Sequence, residues 1–397
     1  MTIYDSEMIV PDGWGFAYSM DRRDFLKLTG SGLLVIAVLR PLAAAAQEPA
    51  RLPAGRGRAP SDLNAYLHIG ADGRVTTFVG KIEMGQGAMT SLPQLVAEEL
   101  DVALSMVDIV MGDTDVCPWD MGTFGSLSIR QFGPVLRAAA AEAKAVLLQL
   151  ASEKLQVPLS DLTVDNGVVV HKSDASKKVS YAQLTEGRKI ERRLDAKPAL
   201  EPAASFTVVG KTAVRRDAID KVTGRAKYAG DIVPPGALHA RVLHPPAHGA
   251  TFISADTSAA EKLPGVTVVK DGDFIAVLHA HRDEADKALA LVKAQWTPSP
   301  NALDHTTIFA HLEKNAPAAQ VVAEGGALAE GEKLAVTLVE DTYRDGYVAH
   351  AAMETHSAVA NFENGKMTVW AGTQTPFPVQ SQVARLLNLP PEKERSG

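Results

Sequence analysis

Two short glycine-rich loops carry the residues best suited to hold a polar ligand. The first, Glu83–Gly87 (EMGQG), follows a predicted strand, and the second, Gly122–Ser128 (GTFGSLS), precedes a predicted helix. Backbone N–H groups at the start of a helix lack partners within the helix, so such loops favour a bound anion. Glycine also lets the backbone approach a bulky ligand and adopt a positive φ. The two loops could grip the two ends of one large polar cofactor, or they could be ordinary turns.

Several polar side chains in or near these loops suit such a ligand. Gln86 offers an amide donor and acceptor, and Ser126 and Ser128 offer hydroxyl groups. Gln374 comes just after a predicted strand, where an α/β arrangement often carries a site residue. Alternatively, Gln374 could cap the helix that follows it, and Ser128 could be a plain helix N-cap.

Composition limits the function classes that the chain can belong to. Its 397 residues are enough for two or three domains, and 46% hydrophobic with 22% charged residues is typical of a globular protein. A net charge of −7 argues against nucleic-acid binding, which needs a basic surface. Cys117 is the only cysteine, so the chain has no internal disulfide and no cysteine-ligated iron–sulfur cluster. Cys117 could be a reactive thiol, but the pattern favours a small packed side chain.

The N-terminal region is organised as an export signal. Asp21–Lys27 is charged and contains the pair Arg22-Arg23. Leu28–Leu39 is apolar, and Ala44–Ala46 is a small-residue cleavage zone. The arginine pair resembles the twin-arginine signal, which predicts a location in the periplasm or on the periplasmic face of the inner membrane. The apolar run is shorter than the roughly 20 residues of a spanning helix, although a retained anchor is the alternative. We also expect Met20 to be the true start.

Hydrophobic periodicity predicts strands and helices along the rest of the chain. The predicted strands are Asn64–Ile69, Val75–Val79, Val107–Met111, a strand and turn within Leu162–Val170, Ala237–Leu243, Val266–Lys270, Phe274–Leu278, Leu334–Tyr343, and a hairpin of Ala358–Phe362 with Met367–Ala371. The predicted helices are one carrying Leu92–Leu100, then Pro134–Leu155, Asp283–Lys293, Ile308–Lys314 and Val379–Asn388. His279 and His281 would share a strand face, but no third ligand has metal-binding spacing, so no metal site is predicted.

Four stretches in this order resemble the xanthine dehydrogenase/aldehyde oxidase family of molybdenum hydroxylases. They are Glu83–Gly87, Gly125–Ser128, Ala218–Asp231, and Met353–His356 together with Gly372–Phe377. The Gly-Gln-Gly loop comes first here, which resembles the permuted large subunits typified by the beta chain of isoquinoline 1-oxidoreductase. The resemblance covers approximately residues 62–391.

This resemblance implies a multidomain α+β fold of mixed sheets with flanking helices. The implied organisation is an N-terminal extension and twin-arginine signal (1–47), a linker (48–61), a molybdopterin-binding segment (62–204), an α/β hammerhead domain (205–298) and the start of a second molybdopterin-binding domain (299–397).

The resemblance also implies a reaction and a site. The reaction is the oxidation of a small aldehyde or N-heterocycle with water as the oxygen source. Electrons would pass to a small [2Fe–2S] subunit, and from there to a membrane cytochrome c. The cofactor would be molybdenum–molybdopterin in its cytosine dinucleotide form. Gln374 matches the glutamine that donates a hydrogen bond to the oxo ligand of the metal. The cofactor-binding residues carried over are Gly85, Gln86, Gly87, Gly125, Ser126, Leu127, Ser128 and Gln374.

One part of the family pattern has no match in this sequence. The catalytic glutamate of the family follows a Gly-Gly-Gly-Phe-Gly loop, and neither feature occurs here. Glu354 and His356 could form an acid/base pair on a strand or make only structural hydrogen bonds. Because the family's glutamate and glycine loop have no match here, we expect a C-terminally truncated chain with exposed strand edges that is inactive by itself. The alternatives are a non-catalytic molybdopterin-binding or assembly protein and a degenerate fragment.

Overall fold

The computed structural model describes residues 32–37, 64–186, 189–190, 198–298, 303–349, 351–390 and 394–396. The chain divides into two compact units. The first extends to Val233 and resumes at His356, and the second is Pro234–Thr355. Helices and small separate sheets make up both units, which confirms the predicted α+β class. The domain boundaries predicted at 204/205 and 298/299 stay predictions.

The first unit is built on a five-stranded mixed sheet. Its described strands are β1 (Gly32–Ala37), β2 (Asn64–Gly70), β3 (Val75–Val79), β4 (Val107–Met111), β5 (Leu162–Asp165), β6 (Val168–His171), β7 (Asp174–Ser180), β8 (Lys189–Ile190), β14 (Ala358–Glu363), β15 (Lys366–Ala371) and β16 (Glu394–Ser396). Its α-helices are α1 (Ala88–Leu100), α2 (Gly133–Leu155), α3 (Tyr181–Thr185), α4 (Ala218–Thr223) and α9 (Pro376–Leu386). The main sheet has the order β4-β3-β2-β1-β8, and two three-stranded sheets have the orders β5-β6-β7 and β14-β15-β16.

Helices α1 and α2 supply much of the core that packs against the main sheet. The buried apolar positions of these helices include Leu92, Val96, Leu100, Leu136, Ala139 and Leu147. Burying each large aliphatic side chain contributes about 1.5–3 kcal/mol. This core therefore fixes β3 and β4, whose C-terminal ends lead into the two glycine-rich loops.

The predicted C-terminal hairpin is confirmed in the first unit. Strands β14 and β15 pair antiparallel from Ala358 opposite Ala371 to Glu363 opposite Lys366. Asn364 and Gly365 form the turn with φ values of 52° and 74°, the left-handed conformation that a two-residue hairpin turn requires. Helix α9 follows β15, so the short segment between them is held at both ends.

The second unit contains a three-stranded sheet of order β11-β12-β9 and a β10-β13 pair. Its strands are β9 (His239–Val242), β10 (Phe252–Asp256), β11 (Thr267–Asp271), β12 (Phe274–His279) and β13 (Lys293–Trp296). Its helices are α5 (Ser258–Glu261), α6 (Arg282–Ala290), α7 (Ile308–Asn315) and α8 (Leu328–Leu334). The helix predicted to run to Lys293 ends three residues earlier, because Lys293 begins the strand that pairs with β10.

The predicted strand Leu334–Tyr343 is wrong. Leu334 ends α8, and residues 335–343 are exposed and belong to no strand. Val336 and Val339 are 100% and 83% exposed. Their β-branched side chains favour an extended backbone, but a strand also needs a hydrogen-bonding neighbour, and the described chain provides none here.

The predicted export signal is described only in part. Gly32–Ala37, inside its apolar run, form β1 and pair antiparallel with β2. The arginine pair, the alanine cleavage zone and the linker 48–61 lie outside the described residues. Among the described residues, no helix is both long and apolar enough to cross a membrane.

Candidate cofactor-binding site

Three polar segments of the first unit come together beyond strand ends. Loop 1 (Glu83–Gly87) follows β3, loop 2 (Gly122–Ser128) precedes α2, and Gln374 follows β15. Loop 2 and the Gln374 segment are joined by two reciprocal hydrogen bonds. The Thr123 N–H donates to the Gln374 carbonyl at 2.8 Å, and Gln374 Nε2 donates to the Thr123 carbonyl at 2.6 Å. The family resemblance implied that these two segments converge, although they lie far apart in the chain.

The residues between β3 and loop 1 connect that strand end to loop 2. Lys81 Nζ lies 2.7 Å from Asp120 Oδ1 and 2.6 Å from the Gly122 carbonyl oxygen. The Ile82 N–H donates to Thr123 Oγ1 at 2.9 Å. Loop 1 therefore begins at a point that is hydrogen-bonded to loop 2, and the three predicted segments share one region of the unit.

Within loop 1, the backbone amides are taken by a side chain of the same loop. Glu83 Oε1 accepts the N–H groups of Gly85 at 2.8 Å and Gly87 at 2.9 Å, and Oε2 accepts that of Met89 at 2.8 Å. The expectation that these amides stand free for an external anion is therefore wrong. The positive end of α1 interacts with an internal carboxylate instead.

The Gln86 side chain is exposed but folds back on loop 1. Its Oε1 accepts the Met84 N–H at 2.6 Å, and its Nε2 donates to the Ile82 carbonyl at 2.9 Å. Gly85 and Gly87 have φ values of 102° and 88°, which other residues adopt only with strain. A Cβ on Gly85 would meet nothing within 4 Å, so glycine is required there for its conformation rather than for space.

Loop 2 leads into a helix whose first turn has no side-chain cap. A π-helical turn, Ser128–Phe132, continues directly into α2, and its N-cap residue Leu127 makes no side-chain capping bond. Ser128 lies inside this turn, so the alternative that Ser128 is a plain N-cap is wrong. Gly125 and Ser126 are exposed with φ values of 62° and 57°. This helix end fits a polar ligand, because its N-cap side chain caps none of its first N–H groups.

Gly122 fixes the contact between loop 2 and the Gln374 segment. A Cβ there would lie 2.7 Å from Phe124 Cε1, 2.7 Å from Thr375 Cγ2 and 3.1 Å from the Gln374 carbonyl oxygen. The φ of Gly122 is 133°, which also favours glycine. The sequence analysis placed Gly122 in loop 2 but missed this contact, since packing partners about 250 residues away leave no local signal.

The Gln374 side chain does not cap the following helix. Thr375 is the N-cap of α9 and makes no side-chain capping bond, while the exposed Gln374 amide contacts Thr123. The prediction that Glu354 and His356 lie on a strand is wrong, because both residues are exposed and in no helix or strand.

Arg215 contacts loop 1 from the segment preceding the Ala218–Asp231 motif. Its Nη1 donates to the Gly85 carbonyl at 2.9 Å, and its Nε and Nη2 bind Asp217 at 3.0 and 2.8 Å. The hydrogen bonds from Arg215 hold the pKa of Asp217 well below its usual range, with a further contribution from Lys221. This pair was also missed by the sequence analysis.

Two other candidates have structural roles. Cys117 is buried with Phe78 and Phe377, which confirms the packing interpretation. His279 ends β12 and His281 precedes α6, so they do not share a strand face. The His281 N–H donates to His279 Nδ1 at 3.0 Å. Within the described ranges, no three His, Cys, Asp or Glu side chains are grouped to hold a metal ion.

Comparisons with known proteins show which families this chain resembles. The family described as "Molybdopterin cofactor-binding domain" matches residues 39–232, and a second family of the same description matches residues 311–396. The B chain of nicotinate dehydrogenase from Pseudomonas putida is 31% identical over 349 residues, which are 84% of this chain and 29% of that protein. The beta chain of isoquinoline 1-oxidoreductase from Brevundimonas diminuta is 28% identical over 426 aligned positions, 94% of this chain and 54% of that protein.

A solved structure that resembles part of this chain is quinoline 2-oxidoreductase from Pseudomonas putida 86. It is 23% identical, with a TM-score of 0.38, and the match covers 47% of this chain and 30% of that one. Three relatives match most of this chain, and the match covers about a third to a half of the length of each relative.

Proposed function

The chain belongs to the molybdopterin-binding subunits of the xanthine dehydrogenase family, and on this premise we propose that it serves an oxidoreductase acting on an aldehyde or N-heterocycle. The balanced reaction would be R–H + H2O → R–OH + 2H⁺ + 2e⁻, and an aldehyde would give a carboxylic acid. The bound molybdenum cofactor would supply this two-electron oxidation. The observation that carries the proposal is the pair of hydrogen bonds that joins loop 2 to Gln374.

The residues of the chain fit the cofactor in distinct ways. The uncapped helix start after loop 2 would donate N–H groups to its polar atoms. Gln374 has an exposed amide that cannot lose its proton, so it would orient a neighbouring oxygen by donating a hydrogen bond. Gly85, Gln86 and Gly87 are exposed or half-buried beside α1 and would contact the cofactor from the side of loop 1.

Cofactor analysis of the purified chain tests this proposal. Expressed in a host that makes the molybdenum cofactor, the chain should carry close to one molybdenum atom and one pterin per polypeptide. Elemental analysis and pterin fluorescence would measure them. The same chain from a host lacking cofactor synthesis is the matched control. Equal molybdenum in the two preparations would contradict the proposal. We propose the cytosine dinucleotide form, which acid hydrolysis would reveal as released CMP.

We propose that electrons leave the site through a second protein. The single cysteine of this chain cannot ligate an iron–sulfur cluster, and the relatives are named as subunits. We therefore propose a small [2Fe–2S] subunit as the direct partner and a membrane cytochrome c as its acceptor. Co-expression with a candidate small [2Fe–2S] protein from the same genome should yield a complex on a size-exclusion column. Separate elution of the two proteins would contradict the partnership.

We propose export by the twin-arginine route, on the strength of the Arg22-Arg23 pair and the apolar run after it. Replacing both arginines by lysine keeps the charge and should abolish the periplasmic pool, measured by immunoblotting of cell fractions. Replacing Arg56 and Arg58 by lysine is the control and should leave export unchanged. Cleavage after Ala46 would remove β1, so the exported protein would have to form its main sheet without that strand. Periplasmic accumulation of the double lysine variant would contradict the route.

A further inference from the structure

Lys81 is buried directly behind the meeting point of loop 1, loop 2 and Gln374. Its side chain is 4% exposed, and that of Asp120 is 9% exposed. Lys81 Nζ donates to Asp120 Oδ1 and to the Gly122 carbonyl, while Asp120 Oδ1 also accepts the Gly122 N–H at 2.8 Å. The ion pair therefore holds both peptide groups of Gly122, a residue with no space for a side chain.

Hydrogen bonds carry this restraint onward to Gln374. Ile82, next to Lys81, donates its N–H to Thr123 Oγ1. Thr123 in turn exchanges two hydrogen bonds with Gln374, one through the backbone and one through the Gln374 amide. Loop 2 is thus fixed by Lys81 on its inner side and holds Gln374 on its outer side.

We propose that Lys81 is a positioning residue, which together with Asp120 fixes loop 2 and thereby orients the Gln374 amide toward the cofactor. The identity of that ligand rests on the proposed function, but the restraint on Gln374 is a property of the protein chain itself. Removing one partner of a buried ion pair leaves an uncompensated charge, so the local structure must rearrange.

An ion pair at the opposite end of β3 provides a control, although its arginine is 33% exposed and Arg216 Nη1 also lies 3.9 Å from its carboxylate. Arg74 binds Asp108 through Nε at 2.9 Å and Nη2 at 2.7 Å, and the Asp108 side chain is 7% exposed. This pair contacts neither loop. Lys81→Met and Arg74→Met each remove a cation from a buried carboxylate, but only the first removes a contact with loop 2.

The experiment measures hydrogen–deuterium exchange in the full-length, cofactor-free chain. In K81M, peptides covering residues 118–128 and 370–380 should exchange at least tenfold faster than in the unsubstituted chain. In R74M, the exchange rates of the same peptides should stay within twofold of those in the unsubstituted chain. This difference between K81M and R74M should remain when the two variants have the same melting temperature. Equal exchange in K81M and the unsubstituted chain, or equal acceleration in R74M, would overturn the proposal.

A second variant keeps the test decisive if K81M does not fold. Thr123→Val preserves shape and removes only the oxygen that accepts the Ile82 N–H. It should accelerate exchange of the 370–380 peptide at least threefold, and an unchanged rate would overturn the proposal.

Molybdenum content provides a readout that separates this proposal from the proposed function. From a cofactor-producing host, R74M should carry as much molybdenum as the unsubstituted chain, and K81M less than half. Were the unsubstituted chain itself to carry no molybdenum, the proposed function would fail, while the exchange rates would still decide whether Lys81 positions Gln374.

Discussion

At the scale of single residues, the candidate site depends on close contacts that only small or flexible groups permit. Gly122 lies against Gln374 and Thr375 with no room for a Cβ. Gly224 is its natural counterpart, because it also has a positive φ, 69°, but a Cβ there would meet nothing within 4 Å. Gly224 therefore shows the cost of a left-handed φ without crowding, whereas Gly122 combines crowding with a φ of 133°, which lies farther from any conformation that alanine adopts.

Gly122→Ala should therefore cost more than Gly224→Ala. The second substitution incurs only the left-handed strain, about 1–2 kcal/mol. The first has the less accessible φ of 133°, adds overpacking of about 1–3 kcal/mol and pushes loop 2 away from Gln374. We expect G122A to lose most of the bound molybdenum and G224A to keep it, as measured by elemental analysis alongside the midpoint of urea unfolding. Similar midpoints and similar metal contents for the two variants would contradict this account.

At the scale of elements, α1 is held on its outer side by the segment that follows residue 200. Glu98, which is 5% exposed, accepts the N–H groups of Thr207 and Val208 at 2.8 Å and of Val209 at 2.7 Å. Gln94 Nε2 donates to the Val208 carbonyl at 3.0 Å. Because α1 starts at loop 1, this attachment also steadies one side of the site.

The Glu98 attachment makes a pH-dependent prediction. Burial acts to raise the pKa of Glu98, but hydrogen bonds from Thr207, Val209 and Val208 outweigh it, so the pKa lies below the ordinary 4.5. Because the pKa of Glu98 is lower in the folded state than in the unfolded state, its ionised carboxylate stabilises the folded state. This stabilisation is fully present above pH 4.5 and is lost as the pH falls through the folded-state pKa. In Glu98→Gln, an NH2 group that cannot accept a hydrogen bond replaces one of the two accepting oxygens. The substitution should therefore lower the free energy of unfolding by about 1–3 kcal/mol at neutral pH.

Urea unfolding at several pH values measures this effect. The difference in unfolding free energy between the unsubstituted chain and E98Q should shrink as the pH drops below 4.5, the ordinary pKa of the group. Glu363→Gln, at an exposed carboxylate, is the control and should change the unfolding free energy by less than about 0.5 kcal/mol. A difference for E98Q that stays constant from neutral pH to well below 4.5 would show that the charge of Glu98 is not what binds the segment.

At the scale of the whole molecule, the two units differ in how fully their apolar side chains are covered. Tyr66 and Tyr181 of the first unit are 3% and 1% exposed, whereas Tyr343 and Tyr347 of the second are 89% and 76% exposed. Chymotrypsin cleaves after accessible tyrosines, so limited digestion should cut at Tyr343 and Tyr347 well before Tyr66 and Tyr181. Mass spectrometry of the first fragments tests this order, and early cleavage at Tyr181 would contradict it.

Patterns that repeat along the chain were predictable from the sequence. The 3.6-residue period of α2 and the alternation around the Asn364-Gly365 turn depend on neighbours a few positions apart, and both elements are confirmed. The convergence of loop 2 with Gln374 came instead from the family resemblance, because nothing local connects positions about 250 residues apart. The Leu334–Tyr343 prediction failed because β-propensity does not supply a pairing partner.

The details inside the site were out of reach of sequence reasoning for a different reason. Lys81 and Asp120 are charged residues that usually lie at the surface, and only the three-dimensional fold shows them paired and buried. Glu83 was counted as part of a ligand-binding motif, yet its carboxylate turns back to its own loop. Both outcomes depend on side-chain direction, which residue type and spacing leave undetermined.

The position of Glu83 has a consequence for how the site could be loaded. A carboxylate tethered two and four residues from its donors acts at a very high local concentration, far above that of any phosphate or pterin in solution. An incoming ligand could therefore gain the amides of Gly85 and Gly87 only by displacing Glu83, which would have to swing outward and find another cation. Arg215, 3.7 Å from that carboxylate, already lies beside it and could receive it.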